Sequence, residues 1–193
     1  ETMGDTDHVL GHELVHAFQY DIAKEAAVSG GQQGLQRLPL WVIEGVAEYL
    51  SLGRTDPHTA MWMRDAALRN DIPTIDQLTR SNRYFPYRYG QALWAYIGGR
   101  WGDRIIPTLY RQSLRRGFEG AFRSVLGYSS DSLSREWHAA IRAAYLPGLE
   151  NRTAPHLAGT RVIAQSEDGA MNISPVQSPD GKYVAFFSRR GLF

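Results

Sequence analysis

The chain has 193 residues, of which 43% are hydrophobic and 21% charged, a composition that is typical of a globular protein and excludes a disordered or collagen-like chain. Its 21 Lys and Arg residues nearly balance 20 Asp and Glu residues, so the net charge of +1 gives no electrostatic support for nucleic-acid binding. The sequence contains no cysteine, which excludes disulfides and thiolate zinc ligands, and no apolar run that approaches the roughly 20 residues of a membrane helix.

Helical spacing of apolar residues dominates the first three quarters of the sequence. It predicts helices over 5–26, 39–52, 57–69, 74–78, 86–101, 103–114, 117–125 and 131–145. Proline, glycine and polar residues then predict a linker. Beyond the linker, apolar residues predict strands over 161–165, 171–173 and 183–188, with a Ser-Pro-Asp-Gly turn at 178–181.

These patterns predict a mainly α fold followed by the start of a β unit. We expect a helical domain over 1–146, a linker over 147–160 and the first strands of a second domain over 161–193. A helix pattern begins almost at the first residue, and the last strand pattern has no partner after it. We therefore expect the chain to be an internal fragment of a longer protein.

The pattern H-E-x-x-H lies on the first predicted helix, with His12, Glu13 and His16 as its defining residues. Residues four apart share one face of a helix, so both imidazoles can reach one ion, and neutral imidazole is a good zinc ligand. Glu13 lies about 100° further round the helix. From there it can reach a water on the metal without being a ligand, which suits the general base of a zinc hydrolase.

A catalytic zinc ion usually has a third protein ligand. No third histidine follows at the spacing H-x-x-G-x-x-H, which disfavours the metzincins. The second predicted helix is otherwise apolar but carries Glu44 and Glu48, four residues apart. The two carboxylates form either a solvated acidic edge or a metal ligand with its partner, and charged residues on so apolar a helix are usually paired or bound to metal.

Two motifs together, H-E-x-x-H at 12–16 and W-x-x-E-G-x-A-E at 41–48, resemble the gluzincin metallopeptidases and their peptidase-MA-like branch. The resemblance implies a zincin-like helical catalytic domain whose N-terminal sheet is missing from this sequence. It implies one Zn²⁺ per chain, with Glu44 as the third ligand beside His12 and His16. It also implies that Glu48 binds the ring of a ligand histidine, which would fix the tautomer of that ring.

The segment P-Y-x-x-G at 86–90 is similar to a segment of gluzincin aminopeptidases, where the tyrosine stabilises the oxyanion. That role falls on Tyr87, and the chemistry needs such a donor because negative charge develops on the substrate carbonyl oxygen. Tyr89 is the second candidate, and either tyrosine could instead pack in the core. We expect His8, one turn before His12, to have a packing or surface role. Arg88 is expected to be solvated, with substrate contact as the alternative.

The segment 173–188, with its Ser-Pro-Asp-Gly turn followed by an alternating strand, resembles a blade of the TolB-like β-propellers. A generic hairpin is the alternative. One blade cannot close a propeller, so the resemblance implies further blades beyond residue 193. It also implies a surface that binds protein partners, and an exported bacterial protein in the periplasm or outside the cell.

The sequence as a whole predicts a zinc-dependent peptidase that acts on peptide or protein substrates. Glu13 would take a proton from the attacking water, and zinc and Tyr87 would stabilise the oxyanion. One alternative is a non-catalytic binding module in which the propeller carries the function and the metal site is structural or vestigial. Another is a zinc hydrolase that acts on a non-peptide bond with the same residues.

Overall fold

A computed structural model describes residues 3–26, 38–153, 155–164 and 172–189. This described part of the chain is mainly helical, with a small two-stranded sheet, which confirms the predicted mainly α fold. Its internal contacts divide it into two units, Glu1–Glu150 and Asn151–Phe193. The predicted domains over 1–146 and 161–193, joined by a linker over 147–160, stay a prediction.

The described residues of the first unit form mainly helices, and from Leu40 onwards short connections join them. The α-helices in its described residues are α1 (Met3–Ala26), α2 (Leu40–Leu52), α3 (Pro57–Leu68), α4 (Ile75–Arg80), α5 (Pro86–Trp101), α6 (Ile105–Ala121) and α7 (Ser130–Tyr145). A π-helical turn, Phe122–Leu126, continues from α6, and a 3-10 turn, Pro147–Leu149, follows α7. In the described part of the chain, no helix combines the length and the apolar character needed to cross a membrane.

Most helix limits agree with the sequence-based prediction to within two residues. α5 begins at Pro86 and ends at Trp101, because proline suits the first helical position and Gly102 leaves the helix with a φ of 84°. α4 begins where Thr74 and Gln77 form a capping box. The two helices predicted over 103–114 and 117–125 are the arms of one kinked helix, since Gly117 interrupts α6 with a φ of 71°.

Helices α2 and α5 cross in direct backbone contact, and a glycine from each helix makes that contact possible. A Cβ atom on Gly45 would lie 2.7 Å from the Cα of Gly90, and a Cβ atom on Gly90 would lie 2.8 Å from the Cα of Gly45. Real Cβ atoms do not approach backbone this closely. The glycine pair therefore sets the distance between two helices that also carry Glu44 and Tyr87.

We expect Gly90→Ala to lower the free energy of unfolding by about 1–3 kcal/mol, because the added methyl group overpacks the crossing of α2 and α5. Gly99→Ala is the matched control: Gly99 lies on the same helix, and a Cβ there would meet nothing within 4 Å. This second change should raise stability by about 0.5–1 kcal/mol, since alanine has the better helix propensity. Urea unfolding measures the stability of both variants. Equal stabilities would contradict the close approach of α2 and α5 at Gly45 and Gly90.

Tryptophan and phenylalanine side chains fill the centre of the first unit. Those with less than 2% exposure are Trp41, Trp94, Trp137 and Phe122. The indole N–H of Trp41 donates to the hydroxyl of Thr79 at 2.9 Å, and that of Trp94 donates to the backbone oxygen of Trp41 at 3.3 Å. These bonds satisfy buried polar atoms and hold α2 in place against α4 and α5.

The second unit contains a short helix, α8 (Pro155–Ala158), and two antiparallel strands, β1 (Asn172–Gln177) and β2 (Val184–Ser188). The register pairs Asn172 with Ser188 and Gln177 with Val184, with an irregularity between Ile173 and Val176. The predicted turn at 178–181 is confirmed: the N–H of Gly181 donates to the oxygen of Ser178 at 2.9 Å, and Gly181 has a φ of 72°.

The predicted strands agree with the structure only in part. The strand predicted over 171–173 is described from Asn172 and extends to Gln177, while residue 171 lies outside the described ranges. The strand predicted over 183–188 begins at Val184. The strand predicted over 161–165 is wrong for the described residues 161–164, which form no strand, while residue 165 lies outside the described ranges. A strand needs a neighbour to accept and donate its backbone hydrogen bonds, and β1 and β2 pair with each other.

Candidate metal centre and active site

Helices α1 and α2 pack side by side, and their facing sides carry imidazole and carboxylate groups. His12 and His16 lie one turn apart on α1, and Glu44 lies opposite them on α2. The Nε2 atoms of the two histidines are 3.0 Å apart. Each of these atoms is 3.2 Å from Oε2 of Glu44. The structure thus brings all three predicted metal ligands to one point.

The spacing of these three atoms fits a small tetrahedral ion. Zinc binds nitrogen and oxygen donors at about 2.0–2.2 Å, which separates two donors of a tetrahedron by about 3.3–3.6 Å. The observed separations of 3.0–3.2 Å lie a few tenths of an ångström below that range. Two imidazoles and one carboxylate also leave a fourth position open, as in catalytic rather than structural zinc sites.

Glu13 lies beside this donor set on α1 and is exposed. Its side chain lines a cavity of about 310 Å³ together with His16, Tyr20 and Glu44. It is not among the three donors that could hold one ion together. A carboxylate that shares the cavity with two candidate ligands is placed to act on a molecule bound there.

Sequence reasoning missed Gln19, which contacts His16 from the next turn of α1. Nδ1 of His16 lies 2.8 Å from Oε1 of Gln19. The amide nitrogen of Gln19 donates to the backbone oxygen of Ile43 on α2, also at 2.8 Å. The available signal was the position of Gln19, three residues after His16 and therefore on the same helix face.

Glu48 contacts His12 rather than His16. Oε1 of Glu48 lies 3.0 Å from Nδ1 of His12, outside the direction of an aligned N–H hydrogen bond. The same oxygen lies 3.2 Å from Nε2 of His8. His8, expected to have a packing or surface role, is therefore a second imidazole partner of this buried carboxylate.

Arg88 is not the solvated charge that the sequence suggested. Its Nη1 donates to Oε2 of Glu48 at 3.0 Å and lies 3.5 Å from Oδ1 of Asp56, with the side chain only 19% exposed. Asp56 also caps α3, where it accepts from the N–H of Thr59 at 2.7 Å. The first turn of α5 packs between α2 and the start of α3, so the guanidinium group is held between two carboxylates.

The side chains of Tyr87 and Tyr89, which both belong to α5, lie in different surroundings. The ring of Tyr87 stacks on His12 at 5.9 Å. Burial, the nearby charge of Glu44 and a hydrogen bond to that carboxylate raise the pKa of Tyr87. Tyr89 packs in the core against Tyr84 and Trp62, where burial raises its pKa to about 12. Tyr87 is therefore the tyrosine of this pair that lies at the candidate metal centre.

The helices and the converging donor set define a helical protein with a candidate metal centre. The chain belongs to the family described as "BSP: Peptidase of plants and bacteria", whose sequence model matches residues 2–137. Comparison with the curated proteins and with the solved structures finds no match. The family indicates a peptidase, which confirms the broad class predicted from the sequence, and the matched range contains every candidate site residue.

Proposed function

We propose that the chain is a zinc-dependent peptidase with its active site between α1 and α2. The observation that carries this proposal is the convergence of His12, His16 and Glu44 within 3.2 Å of one another. The family supports hydrolysis of peptide bonds, and the arrangement of the donors supports the gluzincin type of site. The substrate would be a peptide or a protein.

Each side chain at the site has a separate task in this proposal. A bound zinc ion supplies Lewis acidity, which makes water a stronger nucleophile and polarises the scissile carbonyl. Glu13 accepts the proton of the attacking water and passes it to the leaving amine. The hydroxyl of Tyr87, whose ring stacks on His12, donates a hydrogen bond to the developing oxyanion. Glu48 orients the ring of His12.

The described donors favour a catalytic site over a structural one. A structural zinc site requires four protein ligands. Among the described residues the converging group has three members, and His8 belongs instead to the group around Glu48. Arg88 at the same carboxylate places a positive charge beside that second group, which disfavours a cation there.

Bound zinc per chain tests the proposal directly. We expect about one zinc in the wild type and much less in Glu44→Gln, because a neutral amide is a poorer zinc ligand than a carboxylate. Glu25→Gln, an exposed glutamate near the end of α1, is the matched control and should keep wild-type zinc. A folded wild type without zinc would contradict the proposal. Zinc binding should be accompanied by cleavage within a peptide library.

The hairpin formed by β1 and β2 suggests a function for the second unit. We propose that β1, the Ser-Pro-Asp-Gly turn and β2 belong to a TolB-like propeller blade that binds a protein partner, in an exported bacterial enzyme. The exposed apolar side chains of the hairpin, such as Val176 and Phe187, support packing against further blades. Further copies of the 173–188 pattern in a longer form of the chain would support this, and their absence would contradict it.

A further inference from the structure

Gln19 is a buried side chain whose amide orientation is fixed by the backbone of α2. It is 3% exposed, and one end of its amide lies 2.8 Å from the backbone oxygen of Ile43. A carbonyl oxygen only accepts hydrogen bonds, so the atom that faces it must be the NH₂ nitrogen. The amide oxygen therefore points the other way, towards α1.

This orientation determines which nitrogen of His16 carries the proton. The amide oxygen of Gln19 lies 2.8 Å from Nδ1 of His16 and can only accept. Nδ1 must then be the protonated nitrogen of the neutral ring, and the lone pair lies on Nε2. Nε2 is the atom that lies 3.0 Å from Nε2 of His12 and 3.2 Å from Oε2 of Glu44.

We propose that Gln19 is the positioning residue that sets the tautomer and the ring orientation of His16 for metal binding. The inference rests on the proposed metal site. Ile43 directly precedes Glu44, so one side chain ties the ring of a ligand on α1 to the backbone beside the ligand on α2. Gln19 thereby fixes the position of His16 relative to Glu44.

The chain offers a matched control for a variant of Gln19. Gln91 is also buried, at 1% exposure, and its amide nitrogen also donates to a backbone oxygen, that of Gly53 at 2.7 Å. Methionine at either position keeps an unbranched chain of similar length and removes the amide. The two variants thus lose the same kind of buried hydrogen bond, but the hydrogen bond of Gln91 is made to the backbone of Gly53, which is not a candidate metal ligand.

The measurements are the Zn²⁺ affinity of the full chain by chelator competition, the visible absorption of the Co²⁺-loaded chain, and thermal stability. Gln19→Met should weaken Zn²⁺ binding about 10–100-fold and change the Co²⁺ spectrum. Gln91→Met should lower stability by a similar amount and leave both metal readouts at wild-type values. If the wild type binds zinc and Gln19→Met has the same zinc affinity and Co²⁺ spectrum, this inference is wrong while the proposed metal site stands.

Gln19→Glu separates positioning from folding. A carboxylate still accepts from Nδ1 of His16 but has no hydrogen to donate to Ile43. The zinc affinity of Gln19→Glu should therefore be closer to the wild-type value than the zinc affinity of Gln19→Met is. The stability of Gln19→Glu should nevertheless fall at least as far as that of Gln19→Met. If zinc affinity instead follows stability through all the variants, Gln19 acts only on folding and the inference is wrong. A wild type that binds no zinc would overturn the proposed metal site and this inference with it.

Discussion

Glu13→Gln should slow peptide hydrolysis about 10²–10⁴-fold and leave bound zinc at the wild-type level. Glutamine has nearly the shape of glutamate, but its amide cannot take up a proton from water and release it to an amine. Glu13 lines the same cavity as His16 and Glu44, yet it is not one of the three converging donors. Its loss should therefore affect the chemical step and not metal retention.

The measurement combines zinc content with initial rates on a peptide that the wild type cleaves. Glu25→Gln, the exposed glutamate on the same helix, controls for the loss of one negative charge and should keep wild-type rates. Wild-type activity in Glu13→Gln would rule out Glu13 as the general base. A loss of zinc in that variant would instead make Glu13 a metal ligand.

Local features made most of the helical unit predictable from the sequence. Proline at the start of α5 and glycine after its end act within one or two residues, so its limits agree with the prediction. His12 and His16 are four residues apart on one helix, and their convergence follows from helix geometry alone. The position of Glu44 opposite them depended on a resemblance to a family, because no local rule places α2 against α1.

Contacts between segments that are far apart in the sequence could not be predicted from it. Gln19 meets the backbone of Ile43, and Arg88 meets Glu48, only because α1 and α5 both pack on α2. Arginine is most often solvated, so a sequence on its own favours that reading over a buried ion pair. The strand predicted over 161–165 rested on a short apolar run, but strands form only where a partner takes up their hydrogen bonds, and the described residues 161–164 form no strand. Tertiary packing and pairing decide such cases, and residue spacing does not.

Tyr87→Phe should lower kcat about 10²–10³-fold, the usual effect of removing one donor to an oxyanion, with little change in bound zinc. The ring of Tyr87 stacks on His12, and its phenol interacts with Glu44, so the hydroxyl lies beside the candidate metal centre. Phenylalanine keeps the stacking ring and removes only the hydroxyl. KM should change less than kcat, because the oxyanion develops after substrate binding.

Tyr89→Phe is the matched control, since it removes a hydroxyl from the same helix two residues further on. Tyr89 packs in the core beside Tyr84 and Trp62, so its loss should leave kcat at the wild-type value. Steady-state kinetics of both variants on one peptide decide between the two tyrosines. If Tyr89→Phe is the slower variant, the oxyanion donor assigned here is wrong. If both variants keep wild-type kcat, the oxyanion is stabilised without either hydroxyl.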